Sequence, residues 1–585
     1  MHVARTKSRY VTKAGQERNY ESVLLRRTYR DGGKVKHQTL ANLAPVPDEA
    51  VAALEAALKG TVLVPADEAV TIRRSLPHGD VAAVAAMAHK LDLAKMLGPA
   101  GRPRDLALGL IISRVVRPDS KLATARWWAD STLGVDLGLE GASTDEIYAA
   151  MDWLVRRQEA IEAKLAAKHL SEAANPARMA LFDLTSAWVE GAHCPLAGRG
   201  YSRDGKRGKA QIEYGILTDP EGRPVAVRVF HGSAGDPSTF SDIIDVVTTK
   251  FALNDLVMVG DRGMITKARI DAISELNDDP ATAVDLGWIT ALRAPAIAKL
   301  VRDETIQPTL FDQHDLAEID HPDYPDERLV ACRNPFLAAE RARKRQDLLA
   351  ATEKKLAPIV ERINRGTLSG ADAIGVEVGK VINTYKVAKH FTYQITDTEL
   401  TYARDQDKIA AEAALDGIYV IRTSVPQATM TPDQVVHGYK NLANVERDFR
   451  IIKTDDLDLR PIHHRLEERV RAHVLICMLA CYLTWHLRRA WAPLTFTDQA
   501  PPARDNPVAP AKRSRAAEVK AHYQHDQLGF PYRSFRGLLA HLATLTRNQV
   551  RFTGAEIEVP ILAEPTSDQR AAFDLINAPI PTAIS

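Results

Sequence analysis

Asp183 stands in the middle of an apolar run, Met179-Ala180-Leu181-Phe182-Asp183-Leu184-Thr185, whose pattern is that of a buried strand. A carboxylate in such a place is costly unless a metal or a positive partner compensates it. A second apolar run, Leu256-Val257-Met258-Val259, ends at Gly260-Asp261, which puts another carboxylate at the C-terminal end of a strand, where open α/β sheets place their ligand sites. Between the two, the sequence predicts strands at 211–217 and 224–230 around the turn Asp219-Pro220-Glu221-Gly222, then a helix over 237–251. The order is strand, strand, strand, helix, strand, with an acid on the first and fourth strands. A helix at about 265–277 and a strand at 287–293 continue it, so the fold class is multidomain α/β.

Glu446 supplies a third carboxylate. Tyr439, Glu446 and Lys453 are spaced seven apart, which on a continuous helix keeps them on one stripe with only about 20° of drift per heptad. Leu442, Val445, Phe449 and Ile452 form the adjacent apolar stripe. The helix predicted over 433–453 thus packs on a sheet and presents a phenol, a carboxylate and an ammonium along an exposed seam. Taken alone, such a stripe is also read as a solvated helix face. Three carboxylates on two strands and one helix are a way to hold two Mg²⁺ ions, since hard divalent cations take oxygen ligands and a metal pair stabilises both oxygens of an in-line phosphoryl transfer. Nucleic acid is the substrate that suits this arrangement.

The charge needed to hold nucleic acid is not in the total. The 585 residues carry 76 Lys/Arg against 75 Asp/Glu, with 45% hydrophobic and 26% charged residues, proportions that exclude wholesale disorder and leave charge-dependent function to local patches. One patch is N-terminal: residues 1–40 hold ten Lys/Arg against three acids, around a predicted hairpin at the turn Asp31-Gly32-Gly33. Another is the loop carrying Arg199, Arg203, Lys206, Arg207 and Lys209 against Asp204, read as a DNA-backbone contact. Its Gly200-to-Lys206 spacing imitates a phosphate loop, but Arg207 replaces the required Ser or Thr, which argues against a nucleotide cofactor. Four cysteines without a CxxC pair fit a reducing cytoplasm. The longest uncharged stretch, Val474 to Trp485, has 12 residues against the roughly 20 that cross a bilayer, so no membrane span is expected.

Composition divides the chain into a basic N-terminal β unit (1–46), a helical DNA-binding domain (76–175), a core in two parts (176–293 and 413–495) interrupted by an inserted β-rich domain (294–412), a flexible linker (500–527) and a small C-terminal unit (528–585). The helical spacing of 76–175, with a start signal at Ser143-Thr144-Asp145-Glu146, is compatible with a helix-turn-helix reader. Residues 340–365 read as a charged helix, 372–404 as strands, and 465–490 as a long amphipathic helix.

These residues resemble the DDE transposases of bacterial insertion sequences, the superfamily whose final Glu lies in a Tyr-x2-Arg-x3-Glu-x6-Lys signature. The matching stretches are Phe182-Asp183-Leu184-Thr185, Val259-Gly260-Asp261-Arg262-Gly263-Met264, and Tyr439, Glu446 and Lys453; Gly200 to Asp204, Ile289 to Arg293 and Arg460 to Arg465 also look like the family. The resemblance implies a ribonuclease H-like catalytic core and cut-and-paste movement of a DNA element. Asp183, Asp261 and Glu446 would then be the catalytic metal ligands for two Mg²⁺ (Mn²⁺ as substitute), with Tyr439, Lys453 and Arg262 on the DNA. It further implies element ends and target DNA as partners, a homodimer or larger assembly on DNA, and a bacterial cytoplasmic, nucleoid-associated location. A ribonuclease H-like nuclease or resolvase without strand transfer, and a silent DNA-binding derivative, stay open. The signature's Arg falls on Leu442; Arg450, four residues after Glu446 and hence about 40° round the helix, is the candidate replacement.

Overall fold

The computed structural model describes residues 1–13, 15–61, 65, 68–234, 236–281, 283–502, 506–526, 529–553 and 557–584. They form two compact units, Met1–Pro77 with Leu545–Pro565, and His78–Thr544 with the residues from Thr566 onward. In the smaller unit, β1 (His2–Val11), β2 (Glu17–Asp31) and β3 (Lys34–Asn42) make an antiparallel meander with β2 at its centre. Asp31 pairs with Lys34 across a turn whose Gly32 and Gly33 have φ of 57° and 81°, the left-handed pair that matches hairpin twist and that glycine adopts without strain. Val3, Val23, Leu25 and Leu43 pack on Val51 and Leu54 of the helix Asp48–Leu58. A further strand of this unit is β4 (Val70–Pro77).

The larger unit is built on an eight-stranded mixed sheet. β5 (Met179–Trp188), β6 (Gln211–Thr218) and β7 (Pro224–His231) form an antiparallel meander; β8 (Val257–Val259) runs parallel to β5, and β9 (Gly287–Ala291) parallel to β8. β10 (Leu316–Ile319) and β11 (Arg328–Arg333) follow, then a separate hairpin of β12 (Phe391–Ile395) and β13 (Leu400–Arg404), and β14 (Ile418–Thr423) returns to pair antiparallel with both β9 and β11. The spatial order is β10-β11-β14-β9-β8-β5-β6-β7. All eight residues of β6 are buried, as are Met179 to Phe182 of β5, which is why these strands read as unbroken apolar runs.

The helix Glu467–Ala490 is the core of this unit. It is not amphipathic: Ala472 through Thr484 are all buried, and a helix apolar on every side is a core element. By length and composition it would cross a membrane, but most of it lies inside the protein. The helices Arg102–Val116 and Thr144–Val155 pack on it, and Arg102–Val116 buries Leu106, Ala107 and Gly109 to Val115 in doing so. The expectation of a separate helical domain at 76–175 is therefore corrected: from His78 onward these helices belong to the larger unit and share its core. The start signal at Ser143 does form a capping box with Glu146.

Three further expectations change. The inserted segment is not β-rich: the helix Pro335–Asn364 and the helix Ala371–Ile382 dominate it, and β10 and β11 extend the main sheet. Ile374, Val378 and Ile382, four apart, pack with Leu349, Leu356 and Ile359; their β-branched character masks the helical period. The linker is docked rather than flexible. Lys440 Nζ donates to the carbonyls of Val508 (2.9 Å) and Ala509 (3.4 Å), and Lys520, on the helix Arg515–Tyr523, donates to those of Ala492 (2.7 Å) and Thr497 (3.0 Å). Residues 503–505 and 527–528 of that stretch lie outside the described residues. The C-terminal unit is divided: Phe535–Leu542 and Ser567–Leu575 belong to the larger unit, whereas β15 (Thr546–Phe552) pairs with β4 and with β16 (Glu558–Leu562) in the smaller one.

Gly215 of β6 sets the position of the first carboxylate. A Cβ there would overlap the Phe182 ring and come within 3.3 Å of the Asp183 carbonyl oxygen. Gly215→Ala should therefore cost about 1–3 kcal/mol by overpacking, read as a lower denaturant midpoint. Phe182→Leu in the same chain should recover at least half of the loss; no recovery would show that the strain lies elsewhere.

Candidate active site

The parallel register of β5 and β8 brings two carboxylates level. Leu181 pairs with Val259, and two residues further on Asp183, in the middle of β5, lies level with Asp261, just past the C-terminal end of β8. Asp261 Oδ1 accepts from the backbone N–H of Gly263 and of Met264, both at 2.8 Å, an Asx turn that fixes its direction. Asp183 Oδ1 accepts from the N–H of Leu184 at 2.8 Å. Burial pushes the Asp183 carboxyl up to about 7 against that hydrogen bond, and the charges of Asp261 and Glu446 push the same way.

Glu446 reaches the site from the helix Leu442–Arg450. Leu442, Val445 and Phe449 are buried, with the Phe449 ring edge-on to Tyr214 of β6 at 5.7 Å, while Glu446 stays exposed. Asp448, two residues on, is turned to the opposite side: it is buried, and burial pushes it up to about 8. Tyr439 joins the three acids. Burial raises its phenol to about 12, helped by Asp261, Asp183 and Glu446 and opposed by Arg262. The charges of all three carboxylates act on this one phenol.

None of the three makes an ion pair among the described residues; at Asp183 the Leu184 amide and the charge of Arg203 oppose burial and the neighbouring acids without offsetting them. Hard oxygen donors of like charge are the donor chemistry of a divalent cation. As they stand, no three His, Cys, Asp or Glu side chains among the described residues are gathered tightly enough to enclose one. A cavity of about 900 Å³ lies away from the three acids: Met179, Val257 and Gly287 line it at the N-terminal ends of the same strands.

The seven-residue seam is only partly formed. After Arg450 the chain widens into a π-helical turn, Ile451–Asp455, and the changed period turns Lys453 inward. Lys453 is buried, its Nζ 2.8 Å from Asp204 and 2.5 Å from Thr185 Oγ1. Burial lowers its pKa, opposed by Asp204. The expectation of an exposed DNA contact at Lys453 is thereby corrected: it anchors a loop. Arg460 pairs with the same Asp204, whose part the loop's charge count gave no sign of. Arg203 is half-buried near Glu213, at 3.9 Å, whereas Arg199, Lys206, Arg207 and Lys209 are exposed, with Lys206 and Lys209 over the Trp188 ring at 5.8 and 5.7 Å. Arg262 is exposed beside Arg293 and Lys267 in a cleft that adjoins Asp261. Leu442 faces the core, and Arg450 is exposed on the Glu446 helix.

The raised Asp183 carboxyl carries a sign for stability. The unfolded chain has it near 3.8 and the folded protein near 7, so between those values the fold holds the extra proton and stability falls as pH rises. Below about 4 the two states are equally protonated and the penalty vanishes. In EDTA, Asp183→Asn should therefore unfold at a higher midpoint than the native chain at pH 8, with the difference gone near pH 4. Equal differences at both values would mean that this carboxyl is not strained by folding.

Residues 178–483 match the family model for the transposase DDE domain, and residues 9–64 match that for the IS1634 family transposase N-terminal domain. No curated protein matches. Among solved structures the chain is similar to a cryo-EM structure of a piggyBac transposase synaptic complex with hairpin DNA, at 9% identity over 80% of this chain and 76% of that one, with a TM-score of 0.31. The DDE match begins one residue before β5, spans more than half of the 585 residues and contains Asp183, Asp261 and Glu446, so this chain belongs to the DDE transposases of insertion sequences.

Proposed function

We propose that this transposase excises its element by cutting the phosphodiester bonds at the element ends and then joins the freed 3′-hydroxyls to target DNA. The observation that carries the proposal is the meeting of Asp183, Asp261 and Glu446 around Tyr439, in the middle of β5 and at the end of β8. A ribonuclease H-like core is supported by the order β7-β6-β5-β8-β9, an antiparallel meander followed by two parallel strands. Asp183, Asp261 and Glu446 would hold Mg²⁺, or Mn²⁺ in its place, in a pair that stabilises the entering and leaving oxygens of the in-line displacement. Asp261, fixed by two backbone amides, and Asp183, fixed by its strand, are rigid ligands; Glu446, exposed on its helix, is free to close on the site. Asp183 must lose its proton to ligate, so cation binding tightens as pH rises through about 7.

Tyr439 remains protonated at neutral pH, since its phenol is raised to about 12, and is suited to donate a hydrogen bond to a phosphate oxygen. Arg262, Arg450 and the exposed cations of the 199–209 loop would take the DNA backbone. Two element ends have to be joined at one target, which calls for a homodimer or a larger assembly on DNA.

Asp183→Ala, Asp261→Ala and Glu446→Ala should each abolish cleavage with Mg²⁺ while leaving end binding and folding in place; cleavage surviving in one of them removes that residue from the site. Ca²⁺ should support binding but not cutting, because its looser coordination spoils the in-line geometry. A precut end supplied with a plasmid target should be joined, and cutting without joining would reassign the chain as a nuclease. Arg450→Ala should lower end cleavage at least tenfold, about 1.4 kcal/mol in the barrier, with no change in melting temperature. A near-native rate would leave the role of the signature Arg unfilled.

A further inference from the structure

Strand alternation sorts the basic N-terminal residues in a way their sequence order hides. Odd-numbered residues of β1 and β2 face the helix Asp48–Leu58, as Val3, Val23 and Leu25 do. All three acids of the meander, Glu17, Glu21 and Asp31, lie on that face. The ion pairs are there too: Arg9 with Glu17, Lys36 with Asp31 (2.6 Å), and Arg5 with Asp48 (3.4 Å) and Glu55 (3.7 Å). The opposite face carries no acid. Along the central strand it presents Arg18, Arg26 and Arg30, none of them ion-paired among the described residues. Beside them are Tyr10, paired with Arg18, and Tyr20, at 57% and 50% exposure.

We propose that this outer face of β1, β2 and β3 is the surface that reads the duplex at the element ends, lying along the major groove. The assignment rests on the chain acting on DNA. Strands about 4.8 Å apart make a three-stranded face about 10 Å across its backbone, which matches a major groove about 12 Å wide. The central strand is then deepest in the groove, and its three Arg forks are the side chains that grip the O6 and N7 of guanine in pairs. The hydroxyls of Tyr10 and Tyr20 are suited to backbone phosphates. Charge excludes the other face, where the acids of the meander and the acidic first turn of the helix gather.

The test uses the full chain in EDTA, with a fluorescent duplex of the terminal repeat and an unrelated duplex of equal length. Arg18→Gln/Arg26→Gln/Arg30→Gln should weaken terminal-repeat binding at least 30-fold and bring its preference over the unrelated duplex close to one. Lys7→Gln/Arg27→Gln/Lys34→Gln removes the same charge from the helix-bearing face and should stay within threefold of the native chain. Equal losses in the two triple variants would reduce the effect to net charge and overturn the proposal. So would an unchanged preference in the outer-face variant, provided its unfolding midpoint is native. Because binding is read without metal, a native chain that binds its ends but fails to cut with Mg²⁺ would count against the catalytic reading and leave this surface standing.

Discussion

Three carboxylates at one end of a buried sheet repel one another, and much of the larger unit is arranged to keep them there. Burial is the main cause that raises the Asp183 carboxyl to about 7 and the neighbouring Tyr439 phenol to about 12, and the charges of the other acids add to both. What opposes the repulsion is backbone geometry. The register of Leu181 with Val259 sets two of the acids level, two amides of the turn after β8 hold Asp261, and the Phe449 ring on Tyr214 seats the helix that carries Glu446. Each of these supports is buried or hydrogen-bonded, so the site is strained by its charges while its frame is rigid. With its carboxyl raised above the unfolded value, Asp183 costs the fold stability when it is deprotonated.

The strands that hold the site were legible because they are buried on both faces. Met179 to Phe182, all of β6, and Val257 to Val259 leave no polar alternation to confuse with a helix, and an acid inside or just beyond such a run stands out. What was illegible depends on partners distant in sequence. β15 pairs with β4 from the other end of the chain and carries β16 on its far edge, and nothing in their own composition shows which sheet receives them. The helix Glu467–Ala490 has charged ends that suggest an exposed face, yet the larger unit closes round it. The helix Ala371–Ile382 was masked for a different reason, its valines and isoleucines weighing more than their spacing of four.

Lys453 illustrates a local failure. A spacing of seven predicts one stripe only if the helix keeps 3.6 residues per turn. The π-helical turn after Arg450 breaks that condition just where Lys453 would have reached solvent. The lysine instead meets Asp204, which also takes Arg460, so one carboxylate ties the 199–209 loop to the end of the Glu446 helix. Two cations on one buried acid keep the loop beside the site and leave Arg199, Lys206, Arg207 and Lys209 outward. The basic count of the loop was correct, but its one acid does the positioning.

With 76 basic and 75 acidic residues, the chain has almost no net field to draw DNA from a distance. Affinity must then come from separating the charges rather than from their sum. In the smaller unit a period of two does this, since residues next to each other in sequence fall on opposite faces, and the acids at 17, 21 and 31 share one parity while the arginines at 18, 26 and 30 share the other. A one-residue slip of β2 would turn these three arginines toward the helix and its acids outward. The register is held by Val3, Val23 and Leu25 against the helix Asp48–Leu58. Burying that small apolar set therefore fixes the fold of the meander and, through parity, leaves one of its sides without an acid.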